Sequence, residues 1–263
     1  MLTIPTNIQP GAVVYLDPGV YSASRWTIPN VTIKSKTKWG AHISGAPAHG
    51  FEVRANNVTL EGLRISGCGG QGIKTYGNQT VVRDCWIERN YSSGILGSTF
   101  GTIIERCLIE RNGRHPRWDH GVYVGGHRLV ISNCVVRYNA SCGVHLYPDS
   151  SGAIVRDCEI TDHPLYGILV SSNPIVDTSV DAGATIQGNR IAGSPVAIMF
   201  FHKPTEPEHL VQNNTIDPDC HSVVSTAYGK ATFTEVSTIR SPVDRSGVAA
   251  YSGGPQPDLW PVS

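Results

Sequence analysis

The sequence predicts an all-β protein built as a parallel β-solenoid, and three observations carry that prediction. Residues 57–170 write one pattern five times, from NVTLEGLRISGCGGQGIKTYG through NQTVVRDCWIERNYSSGILGS to SGAIVRDCEITDHPLYGILVSS. Within each copy, apolar and polar residues alternate at period two in runs of three to five, separated by Gly, Asn, Asp and Ser, which describes short strands and excludes helix. Like residues also return to like places: Leu63, Cys85, Cys107, Cys134 and Cys158 follow one another at spacings of 22, 22, 27 and 24 residues. A period of this length makes each copy one turn of a coil whose strands pair in parallel with the next, about 4.8 Å away.

The columns follow from that stacking. Ile65, Ile87, Ile109, Val136 and Ile160 form one apolar column two residues beyond the cysteine position. Ile73, Ile95, Val122, Val144 and Ile168 form another, each preceded by a glycine, and Phe51 joins it one coil earlier. Asn90, Asn112 and Asn139 make a third, read as a ladder at a tight turn because Asn tolerates a left-handed bend. Cys85, Cys107, Cys134 and Cys158 read as buried free thiols acting as small hydrophobes, while the spacing leaves Cys68, Cys142 and Cys220 open.

The three-strand coil resembles the right-handed parallel β-helix of the pectin-lyase-like superfamily over residues 12–220. The resemblance implies about eight coils and a single domain: a β-helix with its N-terminal cap over residues 1–216, and an irregular C-terminal cap or strap over 217–263. Taken in order, residues 1–11 are expected to cover the open edge of the first coil. AVVYLDPGVY (12–21) supplies an entry strand and a Pro18-Gly19 turn, and WTIPNVTIKSK with HISG supplies the next coil. After Ser171 the period breaks into two excursions, SNPIVDTSVDAG (172–183) and HKPTEPEH (202–209).

Charge and composition bound the function. Twenty-one basic and 21 acidic residues balance, which argues against a general nucleic-acid or membrane binder. The chain opens without a charged n-region and holds no apolar run long enough for a signal peptide or membrane span. A cytoplasmic or phage-particle location is therefore expected, or a secreted or periplasmic one if a leader has been removed.

Chemistry on a solenoid comes from outward side chains. Alternation places Glu52, Lys74, Leu96, Tyr123, His145 and Leu169 in one outward column, and Arg54, Tyr76, Ser98, Gly125, Tyr147 and Ser171 in a parallel one. The coil 101–126 carries five extra residues, giving NGRHPRWDHG immediately before Tyr123. Residues 111–128 hold Arg111, Arg114, Arg117, Arg128, His115, His120 and His127 against the single acid Asp119, and Trp118 adds an aromatic face for a sugar ring. The inserted loop is expected to wall the principal cleft over the outward columns. A further outward row, Val81, Ile103, Val130 and Ile154, is expected to contact the C-terminal segment or a second subunit, so a homo-oligomer is one expectation.

These residues suit an acidic polysaccharide or oligosaccharide. Removing the C5 proton beside a uronate carboxylate needs a cation, a base and, for β-elimination, an acid for the leaving oxygen. Lys74, Arg117 or Arg128 can neutralise, His145 or His120 can be the base, and Tyr123 or Tyr147 the acid. Tyr76, Arg114 and Trp118 complete the binding set, and Asp119 either joins the chemistry or closes a turn. The β-helix lyases and epimerases that the chain resembles draw on similar Lys, Arg, His and Tyr side chains, in some families with calcium. Trp118-Asp119-His120 echoes the W-I-D-H signature of pectate lyases, whereas the D-P-H-D signature of alginate epimerases is absent, as is a cluster of acids able to hold calcium. The expected activity is that of a polysaccharide lyase. A C5-epimerase, a glycoside hydrolase and a non-catalytic carbohydrate-binding or phage-fibre module are the alternatives. The paired carboxylates of a hydrolase are missing from the expected face.

Overall fold

The computed structural model describes residues 1–148, 151–171, 182–201, 208–225 and 233–243. It is a right-handed parallel β-helix with no helix among the described residues. Among the described residues every strand pairs in parallel with the strand one coil away, giving three sheets of ten, ten and nine strands. The first sheet runs from Val13–Leu16 to Phe233–Val236, the second from Gly19–Tyr21 to Ile239–Arg240, and the third from Ser24–Trp26 to His221–Ser225. The strands after residue 216 continue all three ladders, so the coil runs past the expected boundary. Of the expected excursions 172–183 and 202–209, residues 172–181 and 202–207 lie outside the described residues, as do the cap residues 226–232 and 244–263.

The columns are in register as the repeat demands. Ile87 sits between Ile65 and Ile109, and Ile95 between Ile73 and Val122, all fully buried. The cysteine column is buried, and all seven cysteines are free. Its thiols donate to carbonyls two residues back, as Cys85 does to Arg83 O and Cys107 to Glu105 O. At the N-terminal end Ile4 is buried in the core and Leu2 bridges to Tyr21, so these residues lie against the first coil.

The turns differ from the expectation. The left-handed residues are not the column asparagines Asn90, Asn112 and Asn139 but the residues just before each column: Asp84, Arg106, Asn133 and Asp157 at the first corner, and Arg89, Arg111, Tyr138 and Asp162 at the second. One left-handed residue turns the chain by a corner and swings the next side chain inward. The asparagines therefore point into the coil and are 0–2 % exposed. Asn112 Oδ1 accepts the Asn90 amide (3.2 Å) and Asn139 Oδ1 accepts that of Asn112 (3.0 Å), satisfying main-chain donors that corners leave unpaired. The column runs on in both directions, to Cys68, whose amide donates to Asn90 Oδ1, and to His163, whose Nδ1 takes the Asn139 amide.

Candidate functional site on the third sheet

The outer face of the third sheet carries the two outward columns in the expected register. Lys74 pairs with Leu96, Leu96 with Tyr123, Tyr123 with His145 and His145 with Leu169. Tyr123 and His145 stack face to face, ring centroids 4.8 Å apart and 5° from parallel, and Tyr147 lies 6.1 Å from Tyr123 and 5.6 Å from His145. The small residues Gly97, Ser98 and Gly125 leave a trough between Tyr76 and Tyr147. A Cβ at Gly125 would meet Tyr147 O at 2.3 Å, so only glycine lets the coils close there. The result is a groove of about 270 Å³ lined by Lys74, Tyr76, Leu96, Tyr123, Tyr147 and Pro148.

Charge is concentrated at one end of this groove. Lys74 Nζ lies 5.3 Å from the Tyr76 ring centroid, and the Arg54 guanidinium covers the same ring at 4.6 Å. Glu52 bonds Arg25 and Arg54 at 2.7 and 2.6 Å; burial raises its pKa, but those two guanidiniums outweigh burial and hold it low. At the other end the column turns apolar, and Leu169 and Met199 are buried with Cys142 beneath Leu165, Tyr166 and Phe201.

Behind Tyr123 runs a histidine relay. The Cys142 amide donates to His120 Nδ1 (3.3 Å), which puts the His120 proton on Nε2. That nitrogen meets His145 Nδ1 at 3.1 Å, and His145 Nε2 meets Ser171 Oγ at 2.7 Å. Donor polarity is thus set from the main chain outward, His120 to His145 to Ser171. Burial pushes the His145 pKa well below its ordinary value, with the neighbouring His120 adding to it, and burial holds His120 at about 4. Both rings stay neutral near pH 7. Burial also raises the Tyr123 pKa, with Tyr147 next, so its phenol stays protonated.

The inserted loop takes a different place from the one expected. Asp119 accepts the Arg114 and His115 amides on Oδ2 (2.9 and 2.8 Å) and the Ser92 hydroxyl on Oδ1 (2.7 Å). Its carboxylate closes the turn and faces away from the groove. It draws the loop toward Tyr91, over whose ring Arg114 lies at 4.3 Å. No loop residue lines the groove among the described residues. Trp118 is 68 % exposed beside His115, and Arg117 is exposed. Arg128 lies over Phe100, outside the groove. Of the residues singled out from sequence, Lys74, Tyr76, Tyr123 and Tyr147 line the groove, His145 and His120 stand behind it, and Asp119, Arg114, Arg117, Trp118 and Arg128 lie elsewhere.

A second concavity, of about 570 Å³, follows the corner after the second sheet and includes Arg64, Glu88, Arg89, Tyr91, Arg111 and Arg114 in its lining. Beneath it Glu88 and Glu110 stack on adjacent coils, 2 % and 0 % exposed. Arg64 and Arg89 reach Glu88 at 2.5 and 3.5 Å; Arg137 and Arg111 reach Glu110 at 2.7 and 3.2 Å. The signal for this network was present in the sequence as the repeated I-E-R-N at 87–90 and 109–112.

Among the described residues no three His, Cys, Asp or Glu side chains come together as a metal site.

The three sheets and the outward groove define a parallel β-helix. The chain belongs to the right handed beta helix region family, whose model matches residues 19–179. Among solved structures it is similar to the alginate lyase from Paenibacillus sp. str. FPU-7 (TM-score 0.59, 16% identity, covering 90% of each chain). It is similar also to pectate lyase Pel9A (0.56, 12%, covering 90% of this chain and 70% of that one) and to a pectin methylesterase in complex with hexasaccharide VII (0.53, 13%, covering 95% and 89%). At these identities the likeness is one of fold. No curated protein sequence matches the chain.

Proposed function

We propose that the chain is a carbohydrate-active enzyme that cleaves a uronate-containing polysaccharide by β-elimination in the groove of the third sheet. The observation that carries this reading is the convergence of Lys74 with Tyr76, Tyr123 and Tyr147 on one trough. Aromatic faces carry sugar rings, and the single ammonium sits where a carboxylate gains charge as C5 loses its proton. Tyr123, kept protonated by burial, gives its proton to the leaving oxygen. His145, kept neutral, takes the C5 proton at Nε2. For that it must carry its own proton on Nδ1, which shifts the proton of His120 to the nitrogen now accepting from Cys142. The cost is that one long bond, 3.3 Å, about 1–3 kcal/mol for a buried donor left without its acceptor. A metal has no step in this scheme.

The test is ultraviolet absorbance of the unsaturated uronate product over a panel of acidic polysaccharides, with circular dichroism as the check on folding. Tyr123→Phe and His145→Ala are each expected to lower turnover by about 10² or more. Near-normal turnover in both variants sinks the assignment. A second reading rests on one distance, Ser171 Oγ to His145 Nε2 at 2.7 Å with His120 behind; with the same proton shift through His120, this is the order of nucleophile, base and orienting group in acyl transfer. Ester hydrolysis that disappears in Ser171→Ala, with no unsaturated product from any substrate, selects that reading over the first.

A further inference from the structure

The concavity beside the second sheet has a charge balance that its own carboxylates do not close. Glu88 is shared by Arg64 and Arg89, and Glu110 by Arg111 and Arg137. Among the described lining residues, Arg64, Arg89, Arg111 and Arg114 stand against Glu88, with Glu110 buried beneath, in a chain of zero formal charge. These cations are only partly hydrated, with side chains 34 % exposed for Arg64 and Arg89, 29 % for Arg111 and 3 % for Arg137. Arg89 Nε is buried and lies 3.5 Å from Glu88 Oε2 without forming a hydrogen bond. A buried donor without a partner costs about 1–3 kcal/mol, which an anion placed against it would relieve. Arg89 and Arg111 both occupy left-handed corner positions, with φ of 51° and 54°. The corner geometry repeats from coil to coil and carries both guanidiniums to the same edge of the cavity. Tyr91 is 51 % exposed at that edge, and Arg114 lies over its ring.

Guanidiniums present paired N–H donors that match a planar or tetrahedral oxyanion, and an exposed phenol ring offers a sugar a face to lie on. We infer that this cavity is a second saccharide-binding site, separate from the groove, that holds a sugar bearing a carboxylate or sulfate ester. Arg89, Arg111 and Arg114 take the anionic group and Tyr91 takes the ring. The reading of the partner as an acidic saccharide supplies the choice of probe; binding, not turnover, is what the test reads.

Calorimetry of the full chain with trigalacturonate, its methyl-esterified neutral counterpart and inorganic sulfate separates the cases. Two molecules of trigalacturonate per chain are expected, against no binding of the neutral counterpart and weaker binding of sulfate. Arg111→Gln and Arg114→Gln are each expected to weaken one of the two sites about tenfold or more, while Lys74→Gln weakens the other. Arg114 is exposed on the loop, so its variant keeps the test valid if Arg111→Gln fails to fold. A single site lost only in Lys74→Gln, affinity unchanged in both arginine variants, or sulfate binding as tightly as the saccharide overturns the inference. Failure of the elimination reading shows instead as absence of unsaturated product, with both binding events intact.

Discussion

Replacing Asn112 by alanine tests the inward-facing corner ladder directly. Asn112 is fully buried, and its amide makes five hydrogen bonds. Oδ1 accepts from Asn90 N (3.2 Å) and Asn90 Nδ2 (2.9 Å). Nδ2 donates to Ile87 O (2.9 Å), Glu110 O (3.1 Å) and Asn139 Oδ1 (3.1 Å). Alanine removes all five but does not orphan every partner. Asn90 Nδ2 keeps Ile65 O, Glu110 O keeps the Arg89 amide, and Asn139 Oδ1 keeps the Asn112 amide. The Asn90 main-chain N–H loses its acceptor inside the coil, at about 1–3 kcal/mol. The vacated amide volume adds a cavity term, for a total of about 3 kcal/mol. For a chain of this size that lowers Tm by roughly 6–12 °C. The assay is thermal unfolding followed by circular dichroism at pH 7 for the wild type, Asn112→Ala and Asn112→Asp. The aspartate keeps the acceptor but loses the donors and buries a charge, so it should be the least stable. A loss below about 1 kcal/mol in the alanine variant, or an aspartate more stable than alanine, refutes the argument.

Three further outcomes follow from other columns. Gly121→Ala would set a Cβ 2.7 Å from Gly143 O, Val136 Cγ1 and Asn139 Nδ2, and Gly143 O is held by the Val122 amide at 2.9 Å; a loss of about 1–3 kcal/mol is expected in urea unfolding, and a stabilised variant would show that the coils yield. Burial holds His120, His163 and His209 near pKa 4 against an ordinary 6.5. Above pH 6.5 neither state binds these protons, and below it only the unfolded chain does, so stability falls as pH drops from about 6.5 toward 4. Each imidazole contributes about 2 kcal/mol of that loss at pH 5, and urea midpoints unchanged between pH 7.5 and pH 5 would contradict the burial. The four column thiols should resist a thiol reagent in the native protein, since burial pushes the Cys107 thiol well up, with all seven cysteines reacting after unfolding; fast native labelling at Cys85, Cys107, Cys134 or Cys158 would contradict the stacking.

The repeat made the inside of this molecule legible and left part of its outside hidden. Stacking forces like residues together, so Cys85 on Cys107 and Tyr123 beside His145 follow from spacing alone, as does the bend of Gly-preceded strands into one wall. At the second corner, Arg89, Arg111 and Tyr138 are left-handed although these residue types carry no turn signal of their own; neighbouring coils impose the conformation. Alternation said that His145 faces outward. It could not say that His120 and Ser171 would engage both its nitrogens, since that needs three coils in space. The loop was read by its charge, and its direction was decided by Asp119, whose two oxygens hold Ser92, Arg114 and His115. The arginines of the cavity beside the second sheet sit in the most regular coils, flanking an apolar column whose repeat dominates the pattern.

Each coil finds its main-chain partners one coil away, and the residues 85–106 make one whole period of 22. A tandem copy of that segment would lay Cys on Cys, Asn on Asn and Gly on Gly, with no new kind of core contact to invent. It would also add one rung to each outward column. A descendant gene could therefore lengthen its outward groove in whole-coil steps through simple duplication, before any side chain on the new rung acquired a use. An insertion of part of a period is a different event, because it throws every column beyond it out of line unless it loops away from the sheets, as residues 113–120 do.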